Sequence, residues 1–394
     1  MRAVLLAIVL IVAACGAPAN TTPSAGATPA PTGPDASSDQ TLEPACAQQT
    51  LDGMTMNQRI GQLFLLGLAD NKLGTAELAA IRDDNVGSVW FTLQTSIGAD
   101  GVLKVTDAVK AEATVAATSS VGFFIGANQE GGQIQALNGG GFSTIPSAVK
   151  QGAEDPDALT SDAETWASEL VAAGVNLDFA PVSDVVPAGS EATNAPIGAL
   201  QREYGNDPTT VGDHAAAFAV GLATAGVAAT AKHFPGLGRV VGNTDFTAGV
   251  IDDVTKRDDP YLTAFKQVID AGVPFVMVAL ATYRQIDPAH LAAFSPLIMQ
   301  DLLRDSLGFQ GVIMSDSLTA QAVASMPAGK RAIDFLAAGG DFVIVRSAKE
   351  AMAMVSAVRA NASSDAAFAS RVNDSALRIL EAKDEFGLLP CSGG

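Results

Sequence analysis

The sequence predicts an α/β chain folded as a single (β/α)8 barrel of the TIM type. Three observations carry this reading: eight short apolar runs without polar alternation, helical patterns between them, and no low-complexity linker after residue 45. The runs are "QLFLLGL" (Gln62 to Leu68), "GSVWFT" (Gly87 to Thr92), "VGFFIGA" (Val121 to Ala127), "VNLDFAP" (Val175 to Pro181), "VAATAKH" (Val227 to His233), "PFVMVAL" (Pro274 to Leu280), "GVIMSD" (Gly311 to Asp316) and "DFVIV" (Asp341 to Val345). Parallel strands covered on both faces require runs of this kind.

Helical signals fill the intervals. Ser161 and Glu164 start one helix, which reaches Ala173 and stops at Gly174, and Ser295 with Pro296 caps another that ends before Gly308. Amphipathic stretches cover Asp259 to Gly272, Lys330 to Ala338 and Ala366 to Phe386. A doubly wound open sheet is the runner-up, but no glycine-rich phosphate loop follows the first run. In a barrel, chemistry gathers at the C-terminal ends of the strands. The polar residues there are Asn128, Gln129 and Glu130 after the third run, Asp184 after the fourth, Lys232 and His233 ending the fifth, and Asp316 ending the seventh. Any one of them could simply cap the next helix; the set together reads as a site.

Outside the barrel, residues 1–15 ("MRAVLLAIVLIVAAC") have one basic residue and an apolar run too short to span a bilayer, so they read as a signal peptide. Its "VAAC" end resembles a bacterial lipobox, which makes Cys15 the expected lipidation site. Residues 16–45 are Pro, Ala, Thr, Ser and Gly with little to bury, a flexible tether to a folded region of 46–391. The expected location is the outer face of the bacterial cell membrane, held by lipid alone. Cys46 and Cys391 bracket the folded region and are expected to pair in an oxidising compartment. A formal charge of −19 and the absence of basic runs argue against nucleic acid as a partner. A monomer is expected.

Several blocks carry a family resemblance: "MTMNQRIGQLF", "NQEGGQIQAL", "NLDFAPVSDV", "QREYGNDP", "KHFPG", "LGFQGVIMSDSL" and "SALRILEAKDEFGLL". Their residues, order and spacing resemble glycoside hydrolase family 3, in particular its single-barrel β-N-acetylglucosaminidases. The resemblance implies that Asp316, in "MSDSL", is the nucleophile of a retaining hydrolase. It likewise implies that Lys232, His233 and Arg202 hold sugar hydroxyls. A carboxylate at a strand end is chemically able to attack an anomeric carbon.

The chain departs from the family in one loop. There "KHFPG" is followed by His-Gly-Asp-Thr and then Asp-X-His, whose His protonates the leaving group. Here "LGRVVGNTDFT" follows, and an ungapped alignment puts Asn243, Thr244 and Asp245 on Asp-X-His; a shifted one puts Asp245 on the Asp and Thr247 on the His. Asp245 is therefore the candidate acid/base. Holding it neutral near pH 7 asks for about 4 kcal/mol of bias, part of it expected from burial beside Phe246 and repulsion by Asp316. Two sugar contacts also differ, with Asn128 where the family has Asp and Ala136 where it has Arg, and Gln133 stands where Arg is usual. Arg239 is a possible substitute cation.

The reading is a retaining exo-β-N-acetylhexosaminidase acting on cell-wall-derived or other glycans, with Asp316 and Asp245 catalytic and Asn128, Arg202, Lys232 and His233 binding sugar. No cofactor or metal is expected: the three histidines, His214, His233 and His290, form no ligand cluster in sequence, and His214 reads as an ordinary helix residue. The alternatives are a β-glycosidase for another hexoside, or a lapsed enzyme that binds glycan or protein on the same barrel.

Overall fold

A computed structural model of the chain describes residues 45–391. They fall in one of the two units into which the chain divides, Pro44–Gly394. The expected signal peptide, Cys15 and the tether through residue 44 lie outside the described residues.

Eight buried strands follow the eight apolar runs: β1 Phe64–Leu68, β2 Ser88–Phe91, β3 Phe124–Ala127, β4 Leu177–Asp178, β5 Thr230–Phe234, β6 Phe275–Val278, β7 Val312–Ser315 and β8 Val343–Val345. One parallel sheet has the order β8-β1-β2-β3-β4 and a second the order β7-β6-β5. Single parallel bridges link the two, Leu177 to Ala228 just before β5 and Met314 to Phe342 just before β8. The fold is therefore α/β and barrel-like, with helices between successive strands. Phe124 of β3 and Phe275 of β6 meet edge to face at 5.2 Å, so side chains fill the space between the sheets.

Helices occupy the predicted intervals, at Leu262–Asp270, Leu297–Ser306, Ala328–Ala337 and Ala366–Glu385. The one expected from Ser161 begins instead at Pro156 and runs to Ala172. Asp155 caps it by accepting from the Asp157 N–H, and Pro156 stands in the first turn, where its missing donor costs nothing. Ser161 bonds back to the Asp157 carbonyl on the exposed side of the helix, so its capping pattern is unused. Gly174 ends the segment at φ +77°, where a Cβ would lie 2.3 Å from Thr106 Oγ1.

The end of the fold opposite the strand C-termini is held by buried charge. Lys383 of the last helix donates to Gln62 Oε1 at 2.7 Å and to the Gly87 and Gly122 carbonyls at 2.8 Å each. One amino group, its pKa pushed well below the usual lysine value by burial, thus gathers the chain just before β1, β2 and β3. Asp341, just before β8, accepts from Arg304, Arg371, Ser375 and the Ile313 N–H of β7. Cys46 and Cys391 are disulfide-bonded, with Cα atoms 5.9 Å apart, where the helix Cys46–Gly53 packs on the last one. Among the described residues no helix is long and apolar enough to cross a membrane.

Lys383→Met keeps the apolar stem and strands three buried acceptors. We expect a loss of about 3 kcal/mol in urea unfolding. A loss below about 1 kcal/mol would mean that the amino group does not hold these strands.

Candidate active site

At the C-terminal strand ends lies a pocket of about 190 Å3. Asn128, Arg202, Lys232, His233, Asp245 and Asp316 all line it.

Glu130 organises the floor. It lies in a hairpin after β3, Gln129–Gly131 paired with Ile134–Gln135, and is buried. The turn needs glycine: Gly131 has φ +102°, and a Cβ there would meet the Pro146 carbonyl oxygen at 2.3 Å. Arg202 grips Glu130 through two nitrogens, at 2.8 and 2.7 Å, and Lys232 Nζ lies 2.5 Å from its Oε1. Burial pushes the Glu130 carboxyl upward in pKa, but Arg202 and Lys232 outweigh it and hold it at about 2. Lys232 also donates to Asn128 Oδ1 at 2.9 Å. The acid that Lys232 meets is thus Glu130.

β5 presents two consecutive residues to one pocket because its register with β6 shifts between Lys232 and Phe234. His233 Nδ1 lies 2.7 Å from Asp184 Oδ2, whose partner oxygen accepts from the Leu237 N–H at 2.6 Å. That carboxylate claims the Nδ1 proton and leaves Nε2 for Arg202, 3.5 Å away, and for a ligand. Beneath them Asp178, at the end of β4, is almost fully buried. Its Oδ1 accepts from the Gln129 N–H at 2.9 Å, its Oδ2 has no hydrogen-bond partner among the described residues, and burial pushes its pKa up to about 7.

Asp316 follows β7 directly and accepts from the Ser317 N–H at 2.7 Å. Asp245 reaches the same pocket on the loop after β5. That loop is pinned by backbone bonds from Ala322 to the Thr244 carbonyl, 3.1 Å, and from Gln321 to the Asp245 carbonyl, 3.2 Å, while Asn243 Oδ1 takes the Asp245 N–H. Asp245 is exposed over much of its surface, yet partial removal from water pushes its pKa upward, followed by the charge of Asp316. His233, Arg202 and Arg346 pull it the other way. Phe246 does not bury it, being 80% exposed at the pocket lip.

Arg239 does not replace the missing sugar contacts. It donates to Thr255 Oγ1 and Asp259 and lies over the Tyr261 ring, away from this pocket. Gln133 also lies elsewhere, and Ala136 is buried. His214 sits in the helix Pro208–Thr224, bonded to the Thr210 and Glu154 carbonyls, and His290 pairs with Asp287. Sequence reasoning missed Trp90 and Arg346 as pocket residues, although the strand-end rule reaches Arg346, the residue after β8.

The sequence matches the family described as glycosyl hydrolase family 3 N terminal domain over residues 55–382. A β-hexosaminidase of Stenotrophomonas maltophilia strain K279a is 33% identical over 297 residues, 72% of this chain and 83% of that protein. One from Xylella fastidiosa is 31% identical over 324 residues, covering 80% and 92%. The crystal structure of a β-N-acetylhexosaminidase from Beutenbergia cavernae superposes with a TM-score of 0.83 at 46% identity, covering 84% of this chain and 98% of that one.

Glu130 generates an acid-stability prediction. Its folded pKa of about 2 lies below the ordinary 4.5, so its contribution is complete above 4.5 and is lost as pH falls through 2. That interval corresponds to about 3 kcal/mol. In Glu130→Gln this acid-dependent loss should vanish, and at neutral pH the variant should be about 3–5 kcal/mol less stable, because two buried cations lose their counter-charge. Urea unfolding from pH 7 downward measures both; an unchanged acid profile would refute the assignment.

Proposed function

The chain belongs to glycosyl hydrolase family 3, and from that membership we propose a retaining, exo-acting β-N-acetylhexosaminidase with Asp316 as nucleophile and Asp245 as acid/base. The observation that carries the reading is two carboxylates on one small pocket, one of them biased toward its protonated form by partial removal from water and then by the charge of the other. The protein is a glycosidase of the β-N-acetylglucosaminidase type, and a pocket below the range of about 300–1,000 Å3 typical of larger ligands suits one terminal sugar ring.

In the first half-reaction an Asp316 oxygen bonds to the anomeric carbon as the bond to the glycosidic oxygen breaks. The Asp245 proton passes to that oxygen, and the leaving sugar departs as an alcohol. In the second, Asp245, now a carboxylate, takes a proton from water, whose oxygen attacks the same carbon and frees Asp316. The Ser317 N–H orients Asp316. Lys232, Arg202 and His233 are assigned to the sugar hydroxyls, with Glu130 fixing the two cations and Asp184 the imidazole. Asn128, already an acceptor for Lys232, can still donate through its amide.

The two sheets and the bridges between them support a closed (β/α)8 barrel of one domain over 46–391. The apolar run before Cys15 and the Pro/Ala/Ser/Thr tether support export and lipid anchoring at the outer face of the cell membrane, with cell-wall-derived glycan as substrate. Four altered positions favour a second reading, a barrel that binds glycan or a protein partner with little turnover: the lost catalytic His, where Asp245 is the candidate replacement, and Asn128, Ala136 and Gln133.

The two carboxylates separate kinetically. With 4-nitrophenyl β-N-acetylglucosaminide, Asp316→Asn should reduce release to background. Asp245→Asn should lower kcat/KM for a disaccharide by about 100-fold or more while costing kcat/KM for the nitrophenyl substrate less than about tenfold, since nitrophenolate leaves without a proton and the base step comes after it. Equal losses would remove Asp245 from the acid role. Wild-type release no greater than that of Asp316→Asn, across several activated β-hexosides, would favour the binding reading.

A further inference from the structure

We propose that a cleft at the end of the fold opposite the sugar pocket, lined by Arg371 and Arg378, is a second binding site and takes a phosphate-type oxyanion from solution.

The cations come first. Three guanidiniums converge on the single carboxylate of Asp341. Its Oδ2 accepts from Arg304 at 2.7 Å and from the Ile313 N–H at 3.0 Å. Its Oδ1 accepts from Arg371 at 2.9 Å, Ser375 at 3.0 Å and Arg378 at 3.3 Å. A carboxylate has about four acceptor positions, so these donors saturate it, and one negative charge answers three positive ones. Arg304 is buried and spends its other Nη on the Phe309 and Gly311 carbonyls. Arg371 and Arg378 differ, since each reaches Asp341 through one Nη and their side chains are 20% and 34% exposed. Neither has a second carboxylate within ion-pair distance among the described residues.

The cleft comes second. Arg371 and Arg378 stand two turns apart on one face of the helix Ala366–Glu385 and line a cleft of about 270 Å3. Pro296 lines it from the start of the helix Leu297–Ser306, whose positive end adds to the field. Two influences oppose an anion: the exposed Asp374 on the same wall, and the C-terminal end of the helix Ala328–Ala337. The carbonyls at that end are partly taken, Gly339 by Gln300 Nε2 at 3.4 Å and Gly340 by Arg371 at 2.8 Å. Glu381 and Glu385 line a separate cleft on the other side of Arg378. The chain has 42 acidic residues against 23 basic ones, so an arginine pair short of counter-charge in a concavity is where an anion gains most. Two planar forks suit a tetrahedral oxyanion such as phosphate. The exposed acids nearby would repel a plane of anionic headgroups, which favours phosphate in solution over phosphate on a lipid.

The test titrates inorganic phosphate into the full protein at fixed ionic strength, replacing chloride, and follows binding by phosphorus NMR line width. We expect saturation with a Kd of about 1 mM, weakening as salt is raised. Arg371→Gln and Arg378→Gln should each weaken binding about fivefold or more, while Arg378→Lys should keep part of it. Asp374→Asn should tighten binding about two- to fivefold by removing the one opposing carboxylate of the cleft. Arg304 still pairs Asp341 in every variant, and near-ultraviolet circular dichroism checks that each is folded. None of these residues lines the sugar pocket, so the result is independent of the hydrolase reading. The proposal fails if binding does not saturate, or if it is unchanged in both glutamine variants, as binding in the sugar pocket would be. Co-sedimentation with phosphatidic acid vesicles tests the lipid source; retention that Arg378→Gln abolishes would overturn the assignment to phosphate in solution.

Discussion

The site depends on one buried carboxylate. Glu130 stands between two cations that come from different parts of the chain, Arg202 after β4 and Lys232 on β5. Without it, two positive charges would face each other in a desolvated floor; burial and then Arg202 already depress the Lys232 pKa, and the charge of Glu130 is the main opposing influence. The ion triad therefore has to form as a unit. Its formation places the hairpin after β3, and with it Asn128, because Lys232 bonds both Glu130 and Asn128. Asp178 and the two hairpin glycines complete the same arrangement from below. Specific polar contacts here cost stability in desolvation and return it in geometry.

The strands were legible in the sequence because each is buried on both faces and hence apolar throughout, a pattern that loops and surface helices do not share. The pocket residues were legible because strand C-termini are where barrel-like folds collect polar groups. Pairings were not: nothing in "NQEGG" distinguishes Glu130 as a turn residue from Glu130 as the counter-ion of Lys232 and Arg202, which are far away in the chain. The helix start at Pro156 was missed because Asp155-Pro156 and Ser161-x-x-Glu164 are both valid start signals, and only tertiary packing chooses between them. Phe246 was read as a burying neighbour on hydrophobicity alone, but a loop tip has nothing to pack against.

The loop that carries Asp245 is held in place without using the side chain of that residue. Its attachments are carbonyls of residues 244 and 245 bonded to the N–H groups of residues 321 and 322, together with the side chain of Asn243. Main-chain bonds of this kind do not depend on what side chain residue 245 bears. The frame can thus hold any side chain at residue 245, and that side chain takes its environment, partial removal from water and the charge of Asp316, from its neighbours.

β1 finds one of its two neighbours, β2, shortly after it, but the other is β8, near the far end of the chain. Lys383, which ties the beginnings of the first three strands, comes later still, and Cys391 at the very end. During synthesis the ribosome therefore delivers most of the strands before β8, the second neighbour of β1, exists. Until then one edge of β1, made of Phe64, Leu65 and Leu66, has no strand to pair with. The nascent chain must remain shielded or incompletely folded until β8 emerges, and a truncation before β8 leaves an open apolar edge instead of a slightly shorter domain.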